Sequence, residues 1–451
     1  MYAIRPPAVL VHESVAGNPA YRERVKRFVS ALAQPCPVEV YNDDQIPSLL
    51  RDRRILDRRV PMGTLRKVED PVILFNTFRF GDEACALKRA EDLKAQNLPC
   101  PQEILGLGAF NWANYNLEGD PNRAHKVCRP CWRIHLQSGC LHRCAYCPLG
   151  GLLVAMVNVD EYCTQLSRII ERHPWQQTYL LDDDADPPAL EPELGCLDEL
   201  IEFFGSLSDR YLVIHTKTWN TAWLRGLKHN GHTILVWSLS GPSQSRHIEP
   251  NSGDTAQRIE AARIAEEAGY PIRYKFKPII PVRNWRQEAR ETVEMALTST
   301  HPDLVSLCCF MWMDMDEMKR RLAPVLELID PDCLRKAEEA RGKSDNPLTQ
   351  PFPDEVRAEI YTHYLSEIRR IAPSLPVSLS TESWHMWSRL GPALGMTATN
   401  YVCGCGPQSV PGRRLLSDHP FRVAVRKDGG RIPCVYPPFE PRCMSEGRPT
   451  Q

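Results

Sequence analysis

No apolar stretch in these 451 residues approaches the roughly 20 needed to span a bilayer. The opening run, Met1-Tyr-Ala-Ile-Arg-Pro-Pro7, lacks the apolar centre of a secretory leader, so neither a membrane span nor export is expected. Net charge is nearly absent as well. The 55 basic and 56 acidic side chains give −1, so no overall field draws the chain to nucleic acid, although a total leaves a local basic groove open. Internal repeats and low-complexity tracts are also missing, which sets aside a solenoid. Cysteine, by contrast, is abundant: there are 17. An odd number in a long chain with no leader argues against a disulfide scaffold. It favours metal or catalytic roles in a reducing compartment, and the cytoplasm is the expected location. A composition 43% hydrophobic and 25% charged is enough for an ordinary core. The length suits one large α/β barrel with additions, or two to three domains.

Three of the cysteines stand together in Ser138-Gly-Cys-Leu-His-Arg-Cys-Ala-Tyr-Cys-Pro148. A C-x3-C-x2-C loop can aim Cys140, Cys144 and Cys147 at one point from a short piece of backbone, and iron–sulfur clusters are held by such thiolates. Three ligands leave one iron of a cubane without a protein donor, as a catalytic zinc keeps an open position. The spacing is similar to the radical S-adenosylmethionine (SAM) signature, in which the free iron of a [4Fe–4S] cluster chelates the cofactor's amino and carboxylate groups. The competing reading is a structural zinc site or buried thiols, yet zinc ligands usually come as two separated pairs.

Along the chain, Ala8–His12, Pro37–Tyr41 and Val72–Phe75 read as strands, with a helix over Tyr21–Ala33 whose Val25, Phe28, Val29 and Leu32 share a face. These form a small N-terminal α/β unit. From Cys128 onward strands alternate with helices. The strands are predicted at Arg133–Leu136, Thr178–Leu181, Tyr211–His215, Thr233–Trp237, Ile272–Phe276 and Leu304–Leu307. Helices are predicted at Asp160–Arg172, Cys196–Gly205 and Thr255–Ala268. Such a series predicts an α/β fold built on a partial (β/α)6-type TIM barrel, with its site at the C-terminal ends of the strands. The cysteine loop follows the first strand, where such a site belongs. A helical stretch over Asp316–Arg341, a loop over Gly342–Pro351, a helix over Asp354–Ile371 and a strand at Val377–Leu379 offer a further βα unit. The expected division is 1–127 for the N-terminal unit, 128–315 for the barrel, 316–399 for its continuation and 400–451 for a Cys-, Arg- and Gly-rich tail. In the tail, Asp428-Gly-Gly430 reads as a hairpin turn.

The chain resembles the spore photoproduct lyase branch of the radical SAM superfamily. The likeness runs from about Cys131 to Met313, strongest in Leu227-Lys-His-Asn-Gly-His-Thr233, Glu249-Pro250, Arg258-Ile-Glu-Ala-Ala262, Ala268-Gly-Tyr-Pro271, Pro278-Ile279 and Trp285. The resemblance implies a cluster on Cys140, Cys144 and Cys147, with SAM in the mouth of a partial barrel. It implies reductive cleavage of SAM to a 5′-deoxyadenosyl radical that abstracts hydrogen from a substrate. An electron donor of the flavodoxin or ferredoxin type and DNA or a nucleobase lesion are the implied partners. Lys217 matches a family position near SAM, where an ammonium can meet the cofactor's carboxylate. Ser238 matches another at a strand end, where a hydroxyl can bond its ribose or amino group. A solvated lysine and a capping serine are the plain alternatives.

Two positions depart from the family. Asp183 stands where the lyase carries a cysteine that returns a hydrogen atom to the product radical, and a carboxyl O–H is far too strong a bond for that task. Pro148 replaces a tyrosine directly after the third cluster cysteine, while Tyr146 is retained. Within Leu181-Asp-Asp-Asp-Ala-Asp186, Asp182 is a candidate partner for the SAM amino group and Asp183 for a substrate or a proton. A solvated acidic loop that caps the next helix is the alternative.

The remaining cysteines include a C-x2-C pair, Cys128 and Cys131, and a C-x-C pair, Cys403 and Cys405. Together they offer a second iron–sulfur cluster or a zinc site; Cys434 and Cys443 lie further along the tail. Cys308 and Cys309 read as core, with one of them facing inward and able to supply a hydrogen atom. His135 and His142 flank the cluster loop as backbone-bonding residues rather than ligands. Trp312, Trp384 and Trp387 read as core packing before base stacking. Arg413, Arg414, Arg422, Arg426, Lys427 and Arg431 form a basic tail patch suited to phosphate. Three functions remain open: a lyase-like enzyme on nucleic acid, a radical SAM enzyme for a peptide or small molecule with an auxiliary metal, and a non-catalytic metal-stabilised nucleic-acid-binding protein.

Overall fold

The computed structural model describes residues 4–58, 70–113, 127–129, 131–142, 144–147, 149–341, 350–398 and 400–412. The chain opens with three parallel strands, β1 (Val9–His12), β2 (Val38–Tyr41) and β3 (Val72–Asn76), in the order β2-β1-β3. It enters a second, larger sheet through β4 (Phe110–Ala113) and β5 (Cys131–Ile134), which pair antiparallel. It then leaves again. The short β6 (Gln137–Ser138) and β7 (Leu152–Met156) return to the first sheet, where β7 runs parallel beside β3 and antiparallel to β6. The two sheets thus exchange strands across the expected division at residue 127, because residues 137–156 complete the sheet that residues 9–76 begin. Strands β3 and β7 are buried along their whole length. Their unbroken apolar runs are what a parallel strand covered on both faces requires.

From residue 178 the chain stays in the larger sheet. Strands β8 (Thr178–Leu181), β9 (Tyr211–Thr216), β10 (Thr233–Leu239), β11 (Ile272–Ile279), β12 (Val305–Cys309) and β13 (Val377–Leu379) follow β5 in sequence order, each parallel to its neighbour. This is the partial barrel expected from the alternating pattern, with the seventh parallel strand supplied by the further βα unit. Its crossover helices fall close to the predicted ranges: Val159–Arg172, Leu197–Gly205, Thr255–Glu267 and Asp354–Ile371. Asp254 and Gln257 cap the third of these reciprocally, Asp254 accepting from Gln257 N at 2.8 Å and Gln257 from Asp254 N at 2.9 Å. The single helical stretch expected over Asp316–Arg341 is instead three pieces, Met315–Arg321, Ala323–Leu328 and Pro331–Glu339. Pro324 and Pro331 lack an amide donor, so each can open a helical turn but not continue one.

Inside the barrel a small apolar layer of Leu180, Val213, Ile234 and Val236 is separate from the main core, with Cys405 packed on it. The C-terminal segment 401–410 closes the barrel at the strands' N-terminal ends. Gln177 N and Thr178 N donate to Pro407 O at 2.7 and 3.1 Å, and Arg273 donates to Gly404 O at 3.0 Å. The basic patch from Arg413 to Arg431, the Asp428 turn, Cys434 and Cys443 lie outside the described residues. Among the described residues no helix is long and apolar enough to cross a membrane.

Candidate active site in the barrel mouth

One cavity of about 480 Å³ runs through the barrel interior and carries most of the predicted residues. Cys140, Cys144, Cys147, Tyr146, Asp182, Asp183, Lys217 and Ser238 all line it, and so do Cys128, Cys403 and Cys405. Cys131 is buried at the start of β5, in electrostatic contact with Cys128 and Cys405.

The cysteine loop is fixed from several sides. Gly139, at φ +94°, precedes the first cysteine, and a Cβ there would stand 2.1 Å from Leu152 O, so only glycine lets β7 pass. Cys140 N donates to Leu149 O at 2.6 Å and closes the loop; Ala145 N donates to Ile248 O at 2.8 Å. Arg321 donates to Tyr146 O. Burial pushes the Cys140 thiol well up, Cys144 to about 12, and Cys147 up as well. As bare thiols they are neutral, and a thiolate here needs a positive partner such as iron. Among the described residues, no three of His, Cys, Asp and Glu stand where together they could hold a single ion. Cluster ligands each take a different iron and need not converge so closely, so the donor set fits a cluster with three protein ligands.

Tyr146 faces a carboxylate rather than open space. Its hydroxyl donates to Glu249 Oε1 at 2.6 Å. Glu249 also accepts from Ser240 at 2.9 Å and Gln244 at 3.1 Å, and its other partner is Arg258 at 2.7 Å, with both charged side chains fully buried. Burial alone would raise the Glu249 carboxyl, but Arg258, Lys217 and the Tyr146 hydroxyl outweigh it and bring it down to about 2. Tyr146 thereby ties the cysteine loop to the helix that begins at Thr255.

The acidic run divides by task. Asp182, at φ +42° and fully buried, accepts from Leu136 N at 3.0 Å, Gln137 N at 3.1 Å and His135 Nδ1 at 3.1 Å. Burial raises its carboxyl despite those bonds. Asp183 pairs with Arg133 on the cavity wall. Asp186 accepts from Thr216 Oγ1 and Lys217 N at 2.7 Å each and meets His142 Nε2 at 2.9 Å. Burial would raise Asp186 too, but His142 and the two donors hold it below its ordinary value. His142 also contacts Asn251 O at 2.8 Å, so it bridges the cysteine loop to Asp186 and to the segment after Glu249.

Several residues that shape the cavity were not singled out in the sequence. Lys275 and Lys277 enter from β11, and Trp312, expected in the core, stands on the wall with its ring 5.2 Å from Lys277 Nζ. Burial, then the Lys275 charge, lowers Lys277 to about 8. The alternation Arg273-Tyr-Lys-Phe-Lys277 does signal them, since a period of two puts all three cations on one face of a strand. Glu249 and Arg258 stood only within the segments that carry the family resemblance, and their pairing with each other and with Tyr146 had no local signal. Trp387 and Cys309 are core, as expected. Cys308 is buried, 3.6 Å from Met311 Sδ and 3.5 Å from Thr381 Oγ1.

Comparisons with known proteins point to similar relatives. Residues 127–310 match the family model described as spore photoproduct lyase. Among curated proteins, the spore photoproduct lyase of Clostridium acetobutylicum is 27% identical over 180 residues, 38% of this chain and 54% of the relative. That of Bacillus subtilis is 28% identical over 170 residues, 36% of this chain and 50% of the relative. The chain spans about half the length of the curated relatives it matches. Among solved structures, a spore photoproduct lyase complexed with dinucleoside spore photoproduct superposes with a TM-score of 0.57 at 15% identity, covering 84% of this chain and 99% of that one. A variant with bound AdoMet and dinucleoside spore photoproduct gives 0.57 at 16% identity over the same shares. At these identities the structural likeness speaks for the fold alone, an α/β partial barrel.

Proposed function

We propose that this chain, whose residues 127–310 are of the spore photoproduct lyase type, is a radical SAM enzyme that acts on DNA or a nucleobase lesion. The observation that carries the reading is the gathering of Cys140, Cys144, Cys147, Lys217 and Ser238 on one cavity at the C-terminal ends of the barrel strands. When bound there, a [4Fe–4S] cluster and SAM supply one-electron cleavage of the sulfonium and a 5′-deoxyadenosyl radical for hydrogen abstraction. The electron comes from an external donor of the flavodoxin or ferredoxin type.

The chain's own part is orientation. Cys140, Cys144 and Cys147 would hold the cluster, the Lys217 ammonium would meet the SAM carboxylate and the Ser238 hydroxyl its ribose or amino group. Asp182 is spent on the backbone of residues 136 and 137, so it positions the strand end that leads into the cysteine loop rather than touching SAM. Tyr146 likewise positions, through Glu249. Asp183, paired with Arg133, is a fixed anion on the wall, suited to a polar or cationic group of the substrate and not to hydrogen-atom return. Leu180, Val213, Ile234 and Val236 keep the floor dry, which protects a radical from water.

The test is anaerobic. Protein reconstituted with iron and sulfide is reduced with dithionite, given SAM and a dinucleoside spore photoproduct, and assayed for 5′-deoxyadenosine and thymidine products. Both are expected from the wild type and neither from a C140A/C144A/C147A variant. Deoxyadenosine without lesion turnover would move the reading to a peptide or small molecule. No deoxyadenosine, with nucleic-acid binding that survives the triple substitution, would leave a non-catalytic binding protein.

A further inference from the structure

The far side of the same cavity holds a second group of thiols drawn from distant parts of the sequence. Cys128 precedes β5, Cys131 opens it, and Cys403 and Cys405 come from the segment that closes the barrel. Cys405 is their centre. It shares side-chain hydrogen bonds with Cys403 and with His215, and it is in electrostatic contact with Cys128 and Cys131. Cys131 is 4% exposed, and the other three face the cavity.

The segment is built to deliver Cys405 to this point. Arg273 donates to Gly404 O at 3.0 Å and to Ser409 Oγ at 2.7 Å, and it pairs with Asp303 at 2.6 Å. A Cβ at 404 would meet Ser306 Oγ at 2.9 Å, and one at 406 would meet Cys403 Sγ at 3.1 Å. Both glycines therefore lie too close to their neighbours for an unshifted side chain. Lys275, 6% exposed, reaches the cavity beside Cys405, with Lys277 one pleat further along the strand. A cluster ligated by four thiolates carries net negative charge, and buried charge is tolerated only beside its opposite. Two ammonium groups meet that need. Zinc would require donors converging on one point, an arrangement the described residues do not offer.

We propose that Cys128, Cys131, Cys403 and Cys405 hold a second iron–sulfur cluster inside the barrel, fully ligated by protein, with Lys275 and Lys277 as its counter-charges. This goes beyond the proposed SAM chemistry and does not require it. The experiment uses the full chain purified without oxygen, with metal and sulfide counted and the reduced protein examined by electron paramagnetic resonance. The C140A/C144A/C147A variant is expected to keep about four irons and a cluster signal. Adding C403S/C405S, which preserves the volume of the segment, is expected to remove both while the circular dichroism stays native. In the C140A/C144A/C147A background, Lys275→Met is expected to lower the midpoint potential, because the lost cation stabilised the more negative reduced state. A folded C140A/C144A/C147A variant without iron would overturn the proposal, as would stoichiometric zinc, or iron indifferent to C403S/C405S. Loss of deoxyadenosine alone would bear on the upper site and not on this one.

Discussion

The two ends of the barrel cavity present cysteine in opposite ways. At the C-terminal rim, three thiols come from eight consecutive residues, and the fold's task is to hold one loop still. At the other end, four thiols come from positions as far apart as Cys128 and Cys405, and the fold must assemble them. In the proposed clusters three ligands would leave an iron open for a cofactor, and four would leave none. The difference teaches that a reactive centre can be written locally, whereas a closed centre of distant ligands exists only once the barrel has formed.

Breaking the rim should have the largest effect. The C140A/C144A/C147A variant is expected to lose SAM cleavage by several orders of magnitude, measured as deoxyadenosine per chain, because the loop has no other thiol to replace the ligands. Next comes the brace behind the rim. Glu249→Ala leaves Arg258 buried without its partner and is expected to cost about 3–5 kcal/mol in chemical denaturation. Tyr146→Phe removes one bond to a buried carboxylate, about 1.5–3 kcal/mol by the same measurement, and should loosen iron retention at the rim but not at the far end.

A pH series sharpens the comparison further. The folded Glu249 carboxyl is depressed to about 2 from a usual value near 4.5. Its contribution is fully present above about 4.5 and is lost as pH falls through about 2. Stability of the wild type should decline over that window, and Glu249→Gln should flatten the decline; an unchanged slope would count against the brace. The smallest effect is expected at Asp183→Asn. Its ion pair with Arg133 is partly exposed, so stability should shift by about 1 kcal/mol or less, while substrate affinity is the more sensitive readout.

Much of the barrel was legible because its strands and helices have different periods, and the helix over Asp354–Ile371 and the strand at Val377–Leu379 match their predicted bounds. Strand β7 was not, although Leu152-Leu-Val-Ala-Met156 is plainly apolar. Its partner β3 lies some eighty residues earlier, and nothing local says that the chain doubles back. At the site, the cysteine loop announces itself by spacing. Asp182 and Tyr146 line the cavity with the cysteine loop, yet their partners turn them inward to the scaffold. Whether a carboxylate or a phenol faces a ligand or a neighbour depends on side chains a hundred residues away, and Glu249 is such a neighbour for Tyr146.

The crossing of strands β6 and β7 into the first sheet has a mechanical consequence. The loop bearing Cys140, Cys144 and Cys147 connects β6 to β7, both in the first sheet, while β5, just ahead of β6, belongs to the second. A chain shortened to begin near residue 127 would strip β7 of its partner β3 and leave a bare, wholly apolar edge. Such a fragment should aggregate rather than fold as a small barrel. Any pull on β3 is passed through β7 to the loop, so the amino-terminal sheet serves as one jaw of a vice.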